Sequence, residues 1–319
     1  MNKEVIGVFG CGYLGSKLIK KWLDNGNKVI VVDNLYFGHG PLISELLLHP
    51  NCEFHYKDAE EIGVDVISRA DVWYLTAAYV GMPLCDRLGE EEVRRVNIDL
   101  IDKIVSELSK DQRVIGLCST SGYGTTDAIC DELEPMQSIS MYGLSKEEGE
   151  RRLMKHPNAT SLRLSTVWGA SPYRNRLDLL INEFTYLLTN TNKLELFQGN
   201  YQRSYVHIDD VINVLYHIAF DTNSFAEIYN FAQDADNCSK EEIVRRIAGH
   251  FDNPSITYLE FEDKDKRNFR ISSQKIKNIG YEAIRTIEKD IPELIKFYKL
   301  FPKYGTELHN KFVSLMKNA

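Results

Sequence analysis

The 319-residue sequence predicts an α/β fold, a doubly wound parallel sheet followed by a smaller C-terminal α+β portion. Three observations predict it. Short apolar runs, suited to strands buried on both faces, alternate with stretches of helical periodicity through the first half of the chain. The first such run opens into a loop with glycine at Gly10, Gly12 and Gly15, and a helical stretch follows at once. Beyond residue 169 the regular alternation gives way to shorter strands, polar loops and helices. A 43% hydrophobic content supports a sizeable core.

The elements follow in order. Val5, Ile6, Gly7, Val8 and Phe9 make the first strand; residues 16–25 put Leu18, Ile19, Trp22 and Leu23 on one helical face, and Gly26 stops the helix. The glycine spacing has a physical use. Gly10 makes the tight turn, Gly12 lets a pyrophosphate approach the backbone, and Gly15 allows close helix packing. The helix N-terminus turns its free N–H groups toward the phosphates, which brings Tyr13 and Leu14 into a dinucleotide site. Residues 28–32 form the second strand and end in Asp33, about 20 residues from the loop. A carboxylate there accepts hydrogen bonds from the adenine-side ribose hydroxyls and repels a 2′-phosphate. Asn34 follows with no arginine beside it, so NAD is favoured over NADP. Cys11 is a small filler within the loop.

A helix is expected at residues 42–48 and a third strand at 52–56, leading to Asp58 and Ala59. Asp58 either accepts a hydrogen bond from the adenine amino group or caps the next helix. The fourth strand, residues 72–75, delivers Ala77 and Ala78, small side chains where a flat cofactor lies against backbone. Residues 91–108 read as a long amphipathic helix with Val93, Val96, Ile101, Ile104 and Val105 inward, and with Asn97 placed to tie it to a neighbouring loop. The fifth strand, residues 113–118, brings Ser119, Thr120 and Ser121 to the same crevice. Tyr142 and Lys146 stand four apart, one above the other on a helix that Ser140 or Met141 begins.

With the glycine loop, the serine-rich turn and the Tyr142/Lys146 pair in one order, the chain resembles the short-chain dehydrogenase/reductase superfamily, in its extended form that acts on nucleotide sugars. The likeness runs from the glycine loop to about Phe301, and departs from the usual pattern at Phe9, where the family has a further glycine. It implies a Rossmann domain over residues 1–169, with returns from about 204–230, and a mainly substrate-binding portion over 170–319. It also implies that Tyr142 is the catalytic acid/base, that Lys146 binds the nicotinamide ribose and lowers the tyrosine pKa, and that Ser119 orients the sugar alcohol. A free phenol titrates near ~10, so added positive charge is needed to make phenolate available near neutrality. Related 4,6-dehydratases carry Asp-Glu where Thr120 and Ser121 stand, which disfavours a dehydratase.

On the same resemblance Ser121, Thr166, Arg176, Arg203 and Arg267 contact the nucleotide sugar, the arginines at its phosphates. Asp265 joins Arg267, while Glu262 replaces a family arginine and Ser204 replaces a frequent Asp. His207, alone among apolar neighbours, reads as structural, and Asp209 or Asp210 as the cap of a helix running to Phe220. Thr160 to Leu164 is a sixth strand. Further elements are expected as a helix at 177–188, short strands at 194–197 and 228–231, a capping box of Ser239 and Glu242 opening a helix to Phe251, and helices at 273–279 and 287–301 before a peripheral tail.

Within the superfamily, residues 121–124, Thr166, 176–180 and 183–186 are similar to bacterial capsule-pathway GDP-heptose 4-dehydrogenases. The expected activity is hydride transfer at a sugar carbon, C4 first. A nucleotide-sugar 4-epimerase is the alternative, and a non-catalytic dinucleotide-sensing protein on the same fold a further one. A net charge of −8 argues against nucleic-acid or anionic-membrane binding, and no apolar run approaches the ~20 residues of a membrane span. Six scattered cysteines show neither a disulfide framework nor metal spacing, as suits a reducing cytoplasm. A homodimer is implied by the family's pairing through the helices that begin near Glu91 and Tyr142.

Overall fold

Alternating faces of the β-strands build the core. In β1 (Val5–Phe9) and β2 (Lys28–Asp33), Ile6, Val8, Val29 and Val31 are buried on one face of the sheet while Phe9, Ile30 and Val32 are buried on the other. The structure is a computed structural model that describes residues 4–260 and 267–301; Glu262, Asp265 and the expected tail lie outside them. With β3 (Cys52–Tyr56), β4 (Val72–Leu75), β5 (Arg113–Ser119), β6 (Ala159–Leu164) and β7 (Glu227–Phe231) these strands form a parallel sheet in the order β7-β6-β5-β4-β1-β2-β3. The order reverses between β1 and β4, so the crevice lies at their carboxyl ends.

The helix Tyr13–Asp24 covers one face together with the helix Ile208–Ile218, and Trp22 packs there on Tyr74 and Tyr216. On the other face Trp73 lies over Gly7, where a Cβ would enter its ring, and stacks on Phe9 at 4.5 Å. A separate core joins Phe184, Ile243, Ile291 and Tyr298, from the helices Leu180–Thr191, Lys240–Ala248 and Ile287–Leu300, with Trp168 and Tyr205 of the short strands Thr166–Trp168 and Tyr205–His207. No helix among the described residues is long and apolar enough to cross a membrane.

Several local expectations are corrected. The 42–48 helix is a 3₁₀ turn, Gly40–Ile43, running into a single turn at Ser44–Leu47. The helix expected at 177–188 starts at Leu180, because Leu177 is drawn into the second core and Leu179 is extended. It is His207, not Asp209 or Asp210, that caps the Ile208–Ile218 helix, its Nδ1 accepting from the Asp209 amide at 3.2 Å. Asp210 instead accepts from the Ile284 and Arg285 amides. A pairing with no local signal joins Thr125–Cys130 to Asn268–Ile271, in parallel. The Ser239/Glu242 capping box forms as expected.

The helix Met141–Leu153 is held to the sheet by a buried ion pair. Glu150 accepts from Arg163 of β6 at 2.7 Å and from the Ser161 hydroxyl at 2.6 Å, and both charged residues are almost fully buried. Glu150→Ala strands the guanidinium in a low-dielectric site, and we expect a loss of about 3–5 kcal/mol in unfolding free energy by urea denaturation.

Candidate functional site

The glycine loop closes on itself by backbone contact. A Cβ on Gly15 would collide with the carbonyl of Gly10, and Gly10, at φ +94°, rests on the backbone of Ala77. No side chain caps the helix that starts at Tyr13, so its first amides face the crevice. Asp33, at the end of β2, accepts from the Cys11 and Leu35 amides, each at 2.6 Å, and holds the loop against the strand. Asn34 donates to Asp58 at 3.2 Å, and Asp58 caps the short turn Ala59–Glu61, the second of its two expected roles. These residues fit a dinucleotide: a bare-backbone cradle, an uncapped helix start and an acid at the strand end. Cys11 stays a protonated filler, because burial, with Asp33 beside it, pushes its thiol far up; His39 Nε2 lies 3.7 Å from its sulfur.

From this cradle a cavity of about 480 Å³ extends across the carboxyl ends of the strands. It brings together Gly12, Tyr13, Leu14, Gly15 and Ala78 with Ser119, Ser121, Tyr142 and Lys146, and with Thr166, Arg176, Arg203 and Arg267. Gly10, Asp33, Asn34, Asp58, Ala59 and Ala77 do not line it and sit at or behind the loop.

Ser140 begins the Tyr142 helix as its N-cap, accepting from the Gly143 amide at 3.1 Å, so Tyr142 and Lys146 are stacked one turn apart. The Ser119 hydroxyl is hydrogen-bonded to Ser121 at 2.8 Å and also reaches the Tyr142 phenol. Burial raises the phenol above its ordinary range; against it work the Ser119 hydrogen bond and the charges of Arg176 and Arg267. Burial lowers the Lys146 ammonium in turn. Asn97 forms the tie expected of it, and more: its amide bridges the Tyr79 N–H and carbonyl, each at 2.9 Å, and donates to Ser145 Oγ at 2.9 Å. The backbone there widens into a π-helical turn, Arg95–Asp99, within what was read as one regular helix.

Arg176, also in the cavity lining, is paired with Asp178 through two hydrogen bonds, the Nε one at 2.7 Å. Arg203 is buried, donates to the Gln202 carbonyl at 2.9 Å and lies over the Phe269 ring. Thr166 and Tyr205 face each other in a short parallel pairing of Thr166–Trp168 with Tyr205–His207. His207 is structural: it is packed against Trp168, and burial pushes it down to about 4. Among the charged cavity residues, Arg174, Glu183 and Lys240 carried no individual role in the sequence: Arg174 and Lys240 lie within the portion expected to bind substrate, and Glu183 within the 183–186 stretch of the subgroup likeness. The one available signal was the Arg174/Arg176 alternation, which in extended chain puts both on one side.

Glu183 lines the cavity, and burial, aided by Asp178, pushes its carboxyl up to about 7. A raised carboxyl favours the folded state in its protonated form. That contribution is complete below about pH 4, where the unfolded group titrates, and is lost as pH rises through about 7. Glu183→Gln therefore loses less stability than the parent between pH 4 and 7, read by urea denaturation at the two ends.

Comparison with known proteins places this geometry. The model of the NAD dependent epimerase/dehydratase family matches residues 5–232. The chain is 24% identical over 213 residues to a putative UDP-glucose 4-epimerase of Methanocaldococcus jannaschii, covering 63% of this chain and 68% of that protein. It is 23% identical over 311 residues to the low-salt glycan biosynthesis protein Agl12 of Haloferax volcanii, covering 92% and 98%. Among solved structures, UDP-glucuronic acid 4-epimerase from Bacillus cereus, in complex with UDP-glucuronic acid and NAD, superposes with a TM-score of 0.80 at 19% identity over 93% of this chain and 99% of that one. With the matched span running from β1 to the end of β7, the chain belongs to the NAD-dependent epimerase/dehydratase family, whose cofactor is NAD.

Proposed function

We propose that this enzyme acts on a nucleotide-diphosphate sugar and takes hydride from a sugar carbon, C4 first, leaving a 4-keto product in the manner of a GDP-heptose 4-dehydrogenase of surface-polysaccharide synthesis. The observation that carries the reading is the convergence of Ser119, Tyr142 and Lys146 on one cavity that Arg176, Arg203 and Arg267 also line. Three guanidinium groups suit a diphosphate, and the hydroxyl and phenol suit a carbohydrate alcohol.

The chain's own part in the chemistry is proton handling and orientation. Tyr142, as phenolate, takes the proton of the sugar hydroxyl, which Ser119 orients by hydrogen bonding. Lys146 would bind the cofactor's ribose and add positive charge near the phenol. When bound, NAD would supply the hydride acceptor. The cradle and uncapped helix start would hold its phosphates, Asp33 its adenine-side ribose, and Ala78 would leave room for its flat ring. Because burial, with Cys118 beside it, holds the phenol up, the cations around it decide whether base is available near neutrality. Thr120 and Ser121 offer no carboxyl to expel water, which argues against dehydration; Thr120 is engaged with the Leu164 carbonyl.

The names of the relatives favour a second reading, 4-epimerisation, in which hydride returns to the opposite face. Anaerobic incubation with a panel of nucleotide sugars, followed by mass spectrometry, separates the two. A product lighter by two hydrogens marks the dehydrogenase, an unchanged mass with altered stereochemistry the epimerase, and no conversion of any sugar removes both. Tyr142→Phe should lower turnover by ~10²-fold or more while NAD binding persists by calorimetry; near-normal turnover would take Tyr142 out of the mechanism.

A further inference from the structure

Arg174 belongs to the segment that leads out of the sheet after the Thr166–Trp168 strand, yet its guanidinium lies against the glycine loop. An ideal Cβ on Gly12 would come within 2.9 Å of its Nη1. Its plane is stacked on Phe37, 3.8 Å from the ring centroid, in the loop that follows β2. It lines the cavity, and among the described residues neither a carboxylate nor a carbonyl is hydrogen-bonded to its guanidinium; Asp33 and Asp178 act on it only at a distance. Its neighbour Arg176 is satisfied by Asp178. A guanidinium held in a fixed plane, with its donor edge unspent, beside an uncapped helix start, faces the place where Gly12 admits a pyrophosphate.

We propose that Arg174 is a cofactor-binding residue that grips the pyrophosphate of bound NAD from beside the glycine loop at Gly12, stapling the segment that leaves the sheet to the cofactor. Stacking on Phe37 pre-orders the fork, so little side-chain freedom is lost when the phosphate oxygens arrive. The arginine slows cofactor release more than it speeds capture. The inference rests on the family's use of NAD and not on the choice of sugar.

The test is direct binding without turnover. Arg174→Ala should weaken NAD and ADP-ribose alike, by ~10–100-fold, with adenosine affinity unchanged, by isothermal calorimetry on the otherwise intact chain. Arg174→Lys, which keeps the charge and loses the fork, should fall between. Added salt should cost the parent more NAD affinity than it costs Arg174→Ala. Unchanged NAD affinity in a variant whose thermal unfolding matches the parent overturns the proposal. So does an equal loss for adenosine, which would mean the pocket has simply collapsed, or a raised KM for nucleotide sugar with NAD affinity intact. Should the alanine variant not fold, Arg174→Gln is read by the same criteria.

Discussion

The close approach of two backbone segments under the crevice is the constraint on which this protein depends. Gly15, in the first turn of its helix, lies against the carbonyl of Gly10, and the Thr76 hydroxyl at the end of β4 donates to the Phe9 and Gly10 carbonyls at 2.9 and 2.6 Å. Three segments meet there with no side chain between two of them. Any Cβ at Gly15 would push the helix away from the sheet and swing its amides off the crevice. The same contact brings the ends of β1 and β4 together at the switch point, where the cavity begins.

A second set of ties positions the Tyr142 helix relative to that cradle. Gly149 packs on the Asn97 carbonyl, Cys118 at the end of β5 donates to the Lys146 carbonyl at 3.3 Å, and Glu150 is bound to β6. Asn97 links this helix, through Ser145, to the loop at Tyr79 that runs along the cavity. The π-helical widening is where the regular ladder is given up so that one buried amide can serve both partners. Position therefore comes from buried polar bonds, each too costly to leave unmade, more than from apolar packing.

The cavity's electrostatics follow from burying like charges together. Arg174, Arg176, Arg203 and Arg267 all line the cavity, where Asp178 neutralises Arg176, and Arg174 is pushed down to about 10 by burial and by Arg176. Like charges gathered this way repel one another, and an anionic ligand relieves that repulsion. The Tyr142 phenol and Lys146 ammonium, each disfavoured in its charged form by burial, sit at the floor of the same space.

The cradle was legible in the sequence because its requirements are local: a buried strand, three glycines at fixed spacing and an acid one strand later all fall within 29 residues, 5–33, and each is dictated by backbone geometry. The succession of strands along the chain to residue 164 and the Tyr142/Lys146 stacking were legible for the same reason, period and capping. What stayed hidden depends on chain far away. Thr125–Cys130 is a strand only because Asn268–Ile271 lies beside it, and Asp210 gave up the helix cap because the Ile284 and Arg285 amides arrive from 74 and 75 residues on. Arg174 became a neighbour of the glycine loop through the path of the chain after Gly169, which no periodicity records. Local sequence by itself determined the cradle, because short-range sterics leave it one conformation; which distant charges stand over it was decided only by tertiary packing, because that choice is a balance of burial summed over the whole molecule.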